Sequence, residues 1–273
     1  MTTEATTTAV GKAIGRKAPR VDLDATRDRL IRLGLLHASD SLAEALGAAT
    51  QEDLAPHRFL DRLLEAELTH REERRMKTSL KLSGLPTGQT LGSFDFAFQP
   101  SVERSRIETL GTCAFIREKE SLLIQGPPGV GKTHLAIALG IRAVENGFSV
   151  IFMRLEDLLA ALKRDAELSP ARLRRKKYMN VALLVIDEMG FEPMSRQEAS
   201  WFFRLVSYRY GRGSILITTN KGIRDWPDVL AGDEVLATAI LDRLLHRSHV
   251  LNISGRSYRL RELEEATRAA GAK

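Results

Sequence analysis

The chain has 273 residues, 43% hydrophobic and 28% charged, the ordinary balance of a soluble globular protein with length for one large or two modest domains. Its formal net charge of +6 favours a polyanionic partner, although mild basicity that serves only solubility stays open. One cysteine, Cys113, excludes an intrachain disulfide and a multi-cysteine metal site, and no apolar stretch approaches the ~18 residues needed to span a bilayer, so a cytoplasmic protein without a membrane partner is expected.

Residues 1–20 are rich in Thr and Ala with scattered basic side chains and lack the apolar run of a signal peptide. They read as a disordered basic arm. Residues 21–85 read as a small all-helical N-terminal domain. Leu30, Leu33 and Leu36 recur at helical spacing, and Leu42, Ala45 and Leu46 repeat the pattern. A longer helix starts near Pro56 and carries Phe59, Leu60, Leu63, Leu64 and Leu68 on one face. Its charged continuation, from His70 to Lys77, reads as a solvated helix laced with i,i+4 pairs or as a basic edge on nucleic acid. Ser83, Gly84, Pro86 and Gly88 break the helix. The alternating Phe94, Phe96 and Phe98 then mark residues 86–100 as a linker pinned to the surface of the next domain.

From residue 101 to about 265 strands alternate with helices, the pattern of an α/β domain whose parallel sheet is covered on both faces; residues 266–273 read as a tail. Strands are expected at 122–125, 150–153, 183–186, 214–218 and 250–253, each short and nearly continuous in apolar residues. The first runs into Gly126-Pro127-Pro128-Gly129-Val130-Gly131-Lys132-Thr133, a full match to the phosphate loop G-x-x-x-x-G-K-[ST]. Its glycines let backbone N–H groups converge on phosphate oxygens at a helix N-terminus, with Lys132 on the β- and γ-phosphates and the Thr133 hydroxyl on Mg²⁺. A Gly-rich turn with a chance Lys-Thr is the alternative, and the strand before and helix after argue against it.

After the second strand a helix over 156–164 is followed by Ser169-Pro170 and a second helix start. There Arg172, Arg174, Arg175, Lys176 and Lys177 form either a phosphate-backbone patch or a solvated basic face. The third strand ends in Asp187 and Glu188, at the sheet edge that also holds the phosphate loop. Asp187 is expected on Mg²⁺ and Glu188 as the general base that activates water. Asn220, after the fourth strand, either orients that water or only forms a turn. Ser195 and Glu198 form a capping box for a helix bearing Trp201, Phe202 and Phe203. In the apolar helix 239–245, Arg243 is either an arginine finger for a neighbouring subunit or a partner of an acid.

The order GPPGVGKTH, LLVIDEMG, ILITTN, ILDRLLHR and SGRSYR resembles the IstB-like ATPases, the transposition helpers of IS21-family elements, related to the helicase loader DnaC and the initiator DnaA. The resemblance covers about residues 25–265. It implies an AAA+ P-loop NTPase with sheet order 5-1-4-3-2, Walker A residues Lys132 and Thr133 within a loop continuing to His134, and Walker B residues Asp187 and Glu188. It further implies a sensor role for Asn220, the arginine-finger role for Arg243, and DNA contact by the 172–177 insertion. ATP and Mg²⁺ are the implied cofactors; duplex DNA, an IS21-type transposase and further copies of the chain are the implied partners. The chain departs from the wider pattern in having no clear sensor 2 Arg in a helical lid. A DnaC-like loader of a replicative helicase and a small-molecule P-loop kinase remain as other readings.

Overall fold

The structure is a computed structural model that describes residues 22–261. The expected basic arm and tail, and residues 262–265, lie outside the described residues. The chain divides into two compact units between Glu73 and Arg74, inside a helix, whereas the Pro/Gly break in the sequence falls near residue 85.

The first unit holds α1 (Leu23–Arg32), α2 (Leu36–Gln51) and the start of α3 (Pro56–Ser83). Asp22 caps α1 by accepting from the N–H groups of Asp24 and Ala25. Ala38, Leu42 and Leu63 are buried, with Leu30, Leu35 and Phe59 packed around them. The apolar residues of α3 do not share one face: Phe59 and Leu63 turn inward, while Leu60, Leu64 and Leu68 are exposed. Neighbours in sequence stand about 100° apart on a helix, so this narrow core takes one row and leaves the next. Leu33 is exposed because α1 has already ended at Arg32.

The second unit is a three-layer α/β structure. In chain order it comprises α4 (Arg104–Gly111), α5 (Ala114–Arg117), β1 (Ser121–Gln125), α6 (Lys132–Glu145), β2 (Val150–Arg154) and α7 (Leu155–Arg164). There follow α8 (Pro170–Leu173), α9 (Lys177–Asn180), β3 (Leu183–Met189), α10 (Arg196–Arg209) and β4 (Ser214–Thr219). A 3₁₀ turn (Ile223–Asp225), α11 (Trp226–Val229), α12 (Glu234–Leu245) and β5 (Ser248–Asn252) complete it. All strand pairs are parallel, in the order β2-β3-β4-β1-β5, which is the expected order read from the other edge. Period-two alternation sends Leu122, Ile124, Val185 and Leu216 to a core beneath α6 and Leu123, Leu184, Ile186 and Ile217 to a core shared with α7, α10 and α12. Hence the strands read as unbroken apolar runs.

β5 runs over Ser248–Asn252, starting two residues before its expected position, and two further elements differ from their sequence expectation. β3 continues through the two acids to Met189, with a shift of register against β4 between Ile186 and Met189. The second helix of the insertion breaks into two single turns, α8 and α9, because Lys176 is extended and the Asn180 side chain bonds the Arg174 and Lys176 carbonyls in place of helical N–H groups. Among the described residues no helix is long and apolar enough to cross a membrane.

Arg209, 1% exposed, holds the amino edge of the sheet together. Its guanidinium donates to the carbonyls of Tyr178, Val181 and Ser214 at 3.1, 2.8 and 2.7 Å, and burial pulls its pKa down to about 10, leaving it charged at neutral pH. Replacing it with Met keeps the stem but removes three buried hydrogen bonds to carbonyls. Arg209→Met is expected to lower unfolding free energy by about 2–4 kcal/mol in urea titration; an unchanged midpoint would refute this role.

Candidate nucleotide site

The phosphate loop spans the gap between the carboxyl end of β1 and the first turn of α6. Gly129 and Gly131 have φ of +79° and +97°, which disfavour any side chain. Space is equally restrictive: a Cβ on Gly131 would lie 2.7 Å from the Phe94 ring, and one on Gly129 2.0 Å from Ser257 Oγ. Lys132 Nζ donates to the Gly126 and Pro127 carbonyls at 2.8 and 2.7 Å, so the ammonium bridges the loop it belongs to. Burial lowers its pKa, the Asp187 carboxylate raises it and Arg259 lowers it again, for a net fall below the ordinary lysine value.

Asp187 and Thr133, far apart in sequence, meet here: Thr133 Oγ1 donates to Asp187 Oδ1 at 3.0 Å. The Thr218 hydroxyl donates to the same oxygen and accepts from the Glu188 N–H at 3.1 Å. A hydroxyl and a carboxylate are the hard oxygen donors Mg²⁺ prefers. Among the described residues no group of three or more His, Cys, Asp or Glu could hold a metal ion by itself. This donor set therefore fits a cation whose shell is completed by phosphate and water. Glu188 has φ +63°, so the register shift turns its side chain out of the sheet, where its carboxylate lies 3.5 Å from Arg154. β4 lies between β1 and β3, which brings Thr218, Thr219 and Asn220 between loop and acids. Asn220 Oδ1 is buried with no hydrogen-bond partner.

The loop from Pro128 to Thr133, together with Glu188, Thr218, Thr219 and Asn220, lines one cavity of about 450 Å³, and Asp187 lies behind it, bonded to Thr133 and Thr218. The same cavity contains residues that the sequence reading did not select: Gln89, Phe94 and Gln99 from the linker, and Tyr258 and Arg259 from beyond β5. The alternating phenylalanines were the available signal. Their role is more than surface pinning, since Phe94 is 8% exposed and packs on the loop. The later segment is tied on by Tyr258 N–H donating to the Gly129 carbonyl at 2.9 Å. His134 faces this linker: its Nε2 lies 2.9 Å from the Thr90 carbonyl and 3.3 Å from Ser93 Oγ.

Arg243 lies at the opposite edge of the sheet from its own phosphate loop. Its Nη1 donates to the Ala239 carbonyl at 2.7 Å and its guanidinium sits 5.0 Å from the Phe203 ring centroid. In the insertion, Arg172, Arg174, Arg175 and Lys177 are exposed. Lys176 instead pairs at 2.8 Å with buried Asp165, which also accepts from the Tyr178 hydroxyl at 2.9 Å. Cys113 is fully buried, and burial raises its thiol pKa, as befits an inert packing residue.

The sheet order, with a phosphate loop after β1, two acids ending β3 and polar residues ending β4 between them, defines an AAA+ P-loop nucleotide-binding protein. Solved structures carry the same fold: DnaA from Aquifex aeolicus bound to AMPPCP (TM-score 0.51, 19% identity, 68% of this chain and 56% of that one), and a replication initiator DnaA bound to AMPPCP and single-stranded DNA (TM-score 0.53, 20% identity, the same coverage). Within that class the chain belongs to the family of IstB-like ATP binding proteins, which it matches over residues 28–266. It is 45% identical over 237 residues to the insertion sequence IS21 ATP-binding protein of Pseudomonas aeruginosa, covering 87% of this chain and 89% of that one. It is 42% identical over 214 residues to the IS5376 ATP-binding protein of Geobacillus stearothermophilus, covering 78% and 85%.

The depressed Lys132 pKa has a measurable sign. A lysine shifted downward loses its charge at lower pH, so nucleotide affinity is expected to fall with rising pH before the ordinary lysine range is reached. Arg259→Gln removes a cause of the depression and should move that fall to higher pH. Affinity titrated between pH 7 and 10 checks both; an unmoved profile in Arg259→Gln would contradict the coupling.

Proposed function

We propose that the chain is an ATPase that assembles head to tail on duplex DNA and presents that DNA to the transposase of an IS21-type element. The observation that carries this reading is the opposition of the two sheet edges. The carboxyl edge holds the phosphate loop, Asp187 and Glu188. The amino edge opens into a cavity of about 480 Å³ lined by Arg117, Lys119, Arg243 and Arg247, with Glu118 its one acid. An anionic triphosphate at one edge and a cluster of guanidinium groups at the other suit a heterologous contact between copies. The insertion-sequence ATP-binding proteins among the relatives support the transposition setting, and the exposed basic residues support a polyanion as substrate.

In this mechanism the loop amides and Lys132 bind the triphosphate, and Thr133 and Asp187 would hold Mg²⁺, which would supply charge neutralisation on the phosphate oxygens. Glu188 takes the proton of the attacking water, Asn220 orients that water, and Arg259 meets the phosphates from the same chain. Arg243 of a neighbouring copy leaves the Ala239 carbonyl to stabilise the charge developing on the γ-phosphate. Arg172, Arg174, Arg175 and Lys177 contact the DNA backbone, giving affinity without sequence choice.

Glu188→Gln is expected to bind ATP and to trap DNA-bound oligomers, whereas Lys132→Ala should lose both, as read by sedimentation on duplex DNA. Equal assembly by the two variants would sink this mechanism, and a clear preference for single strands would overturn the duplex assignment. Replacing Arg172 and Arg175 together by Gln should reduce the slope of log affinity against log salt by about two. An unaltered slope would clear the insertion of a role in DNA contact.

A further inference from the structure

Among the side chains that the linker contributes to the nucleotide cavity, Gln99 is one that the phosphate chemistry leaves unused. Gln99 lines that cavity and is 2% exposed. Its Nε2 donates to the Arg256 carbonyl at 2.8 Å. That bond fixes which end of the amide is nitrogen, because the flipped form would set oxygen against oxygen. Oε1 is then a buried acceptor with no partner, a condition that a folded chain tolerates where a ligand brings the donor. The backbone makes room for it: a Cβ on Gly255, whose φ is +141°, would lie 2.7 Å from Oε1. Gln89 adds a second unpartnered acceptor to the same cavity, and the aromatic side chains of Phe94 and Tyr258 are part of its lining.

Acceptors beside aromatic rings suit a planar heterocycle that presents an N–H donor. Adenine carries an exocyclic amine at the position where guanine carries a carbonyl oxygen, so an orphan acceptor attracts the first and repels the second. We infer that Gln99 is the residue by which this site selects adenine, its Oε1 accepting from the exocyclic amine. The inference rests on the ATP reading of the cavity and adds the group that recognises the base.

The test measures affinities of the full chain for ATP, GTP, purine riboside triphosphate (hydrogen in place of the amine) and inorganic tripolyphosphate, by calorimetry. The unaltered chain should prefer ATP to purine riboside triphosphate by about tenfold or more, and to GTP by more still. Gln99→Met, or Gln99→Leu where Met does not fold, should bring the ratio of ATP to purine riboside triphosphate close to one. A merely structural role would weaken both nucleotides together and keep the ratio. Equal affinity of the unaltered chain for the two nucleotides, or a variant that keeps the preference, would overturn the inference. Failure of the unaltered chain to bind tripolyphosphate would overturn the nucleotide reading beneath it, and the base selection with it.

Discussion

One oxygen atom organises the site. Asp187 is 2% exposed, and its Oδ1 accepts from the hydroxyls of Thr133 and Thr218, on the first turn of α6 and on β4. Thr218 in turn takes the N–H of Glu188. A buried carboxylate without partners is costly, so this one holds three elements to a single arrangement. The chain follows that demand. Between Ile186 and Met189 the ladder with β4 slips, Glu188 takes a positive φ, and two adjacent acids acquire opposite environments. Asp187 stays inside among hydroxyls, and the Glu188 side chain stands 42% exposed. The slip separates an acid suited to a cation from an acid that reaches water.

What was legible in the sequence is what contiguous residues determine. The phosphate loop needs eight consecutive residues and a strand before them, and the strands announce themselves by unbroken apolar runs buried on both faces. The Ser195–Glu198 capping box is equally local and forms as expected. Contacts between distant residues left no comparable trace. Gln99 finds its carbonyl at Arg256, and Arg259 reaches the field of Lys132 only after β5 has returned beside β1. In the basic run, Lys176 looks like its neighbours until Asp165 is seen folded beneath it. On α3 the leucine pattern gave a helix but could not say which row faced inward, since that depends on how narrow a core Ala38 and Leu42 present.

The contact between Phe94 and Gly131 bears on how this motif travels between proteins. The octapeptide is portable as text, but here its third glycine is closed by a ring from a segment well upstream, and its second by a serine from a segment well downstream. Neither neighbour belongs to the motif. Transplanted into another scaffold, the eight residues would keep their dihedral preferences and lose the two walls that hold them to one shape. The phosphate loop of this chain is therefore no self-contained cassette: it is the middle layer of a laminate whose outer plies are the linker and the strand-exit segment, and a chimaera that exchanges it must carry all three.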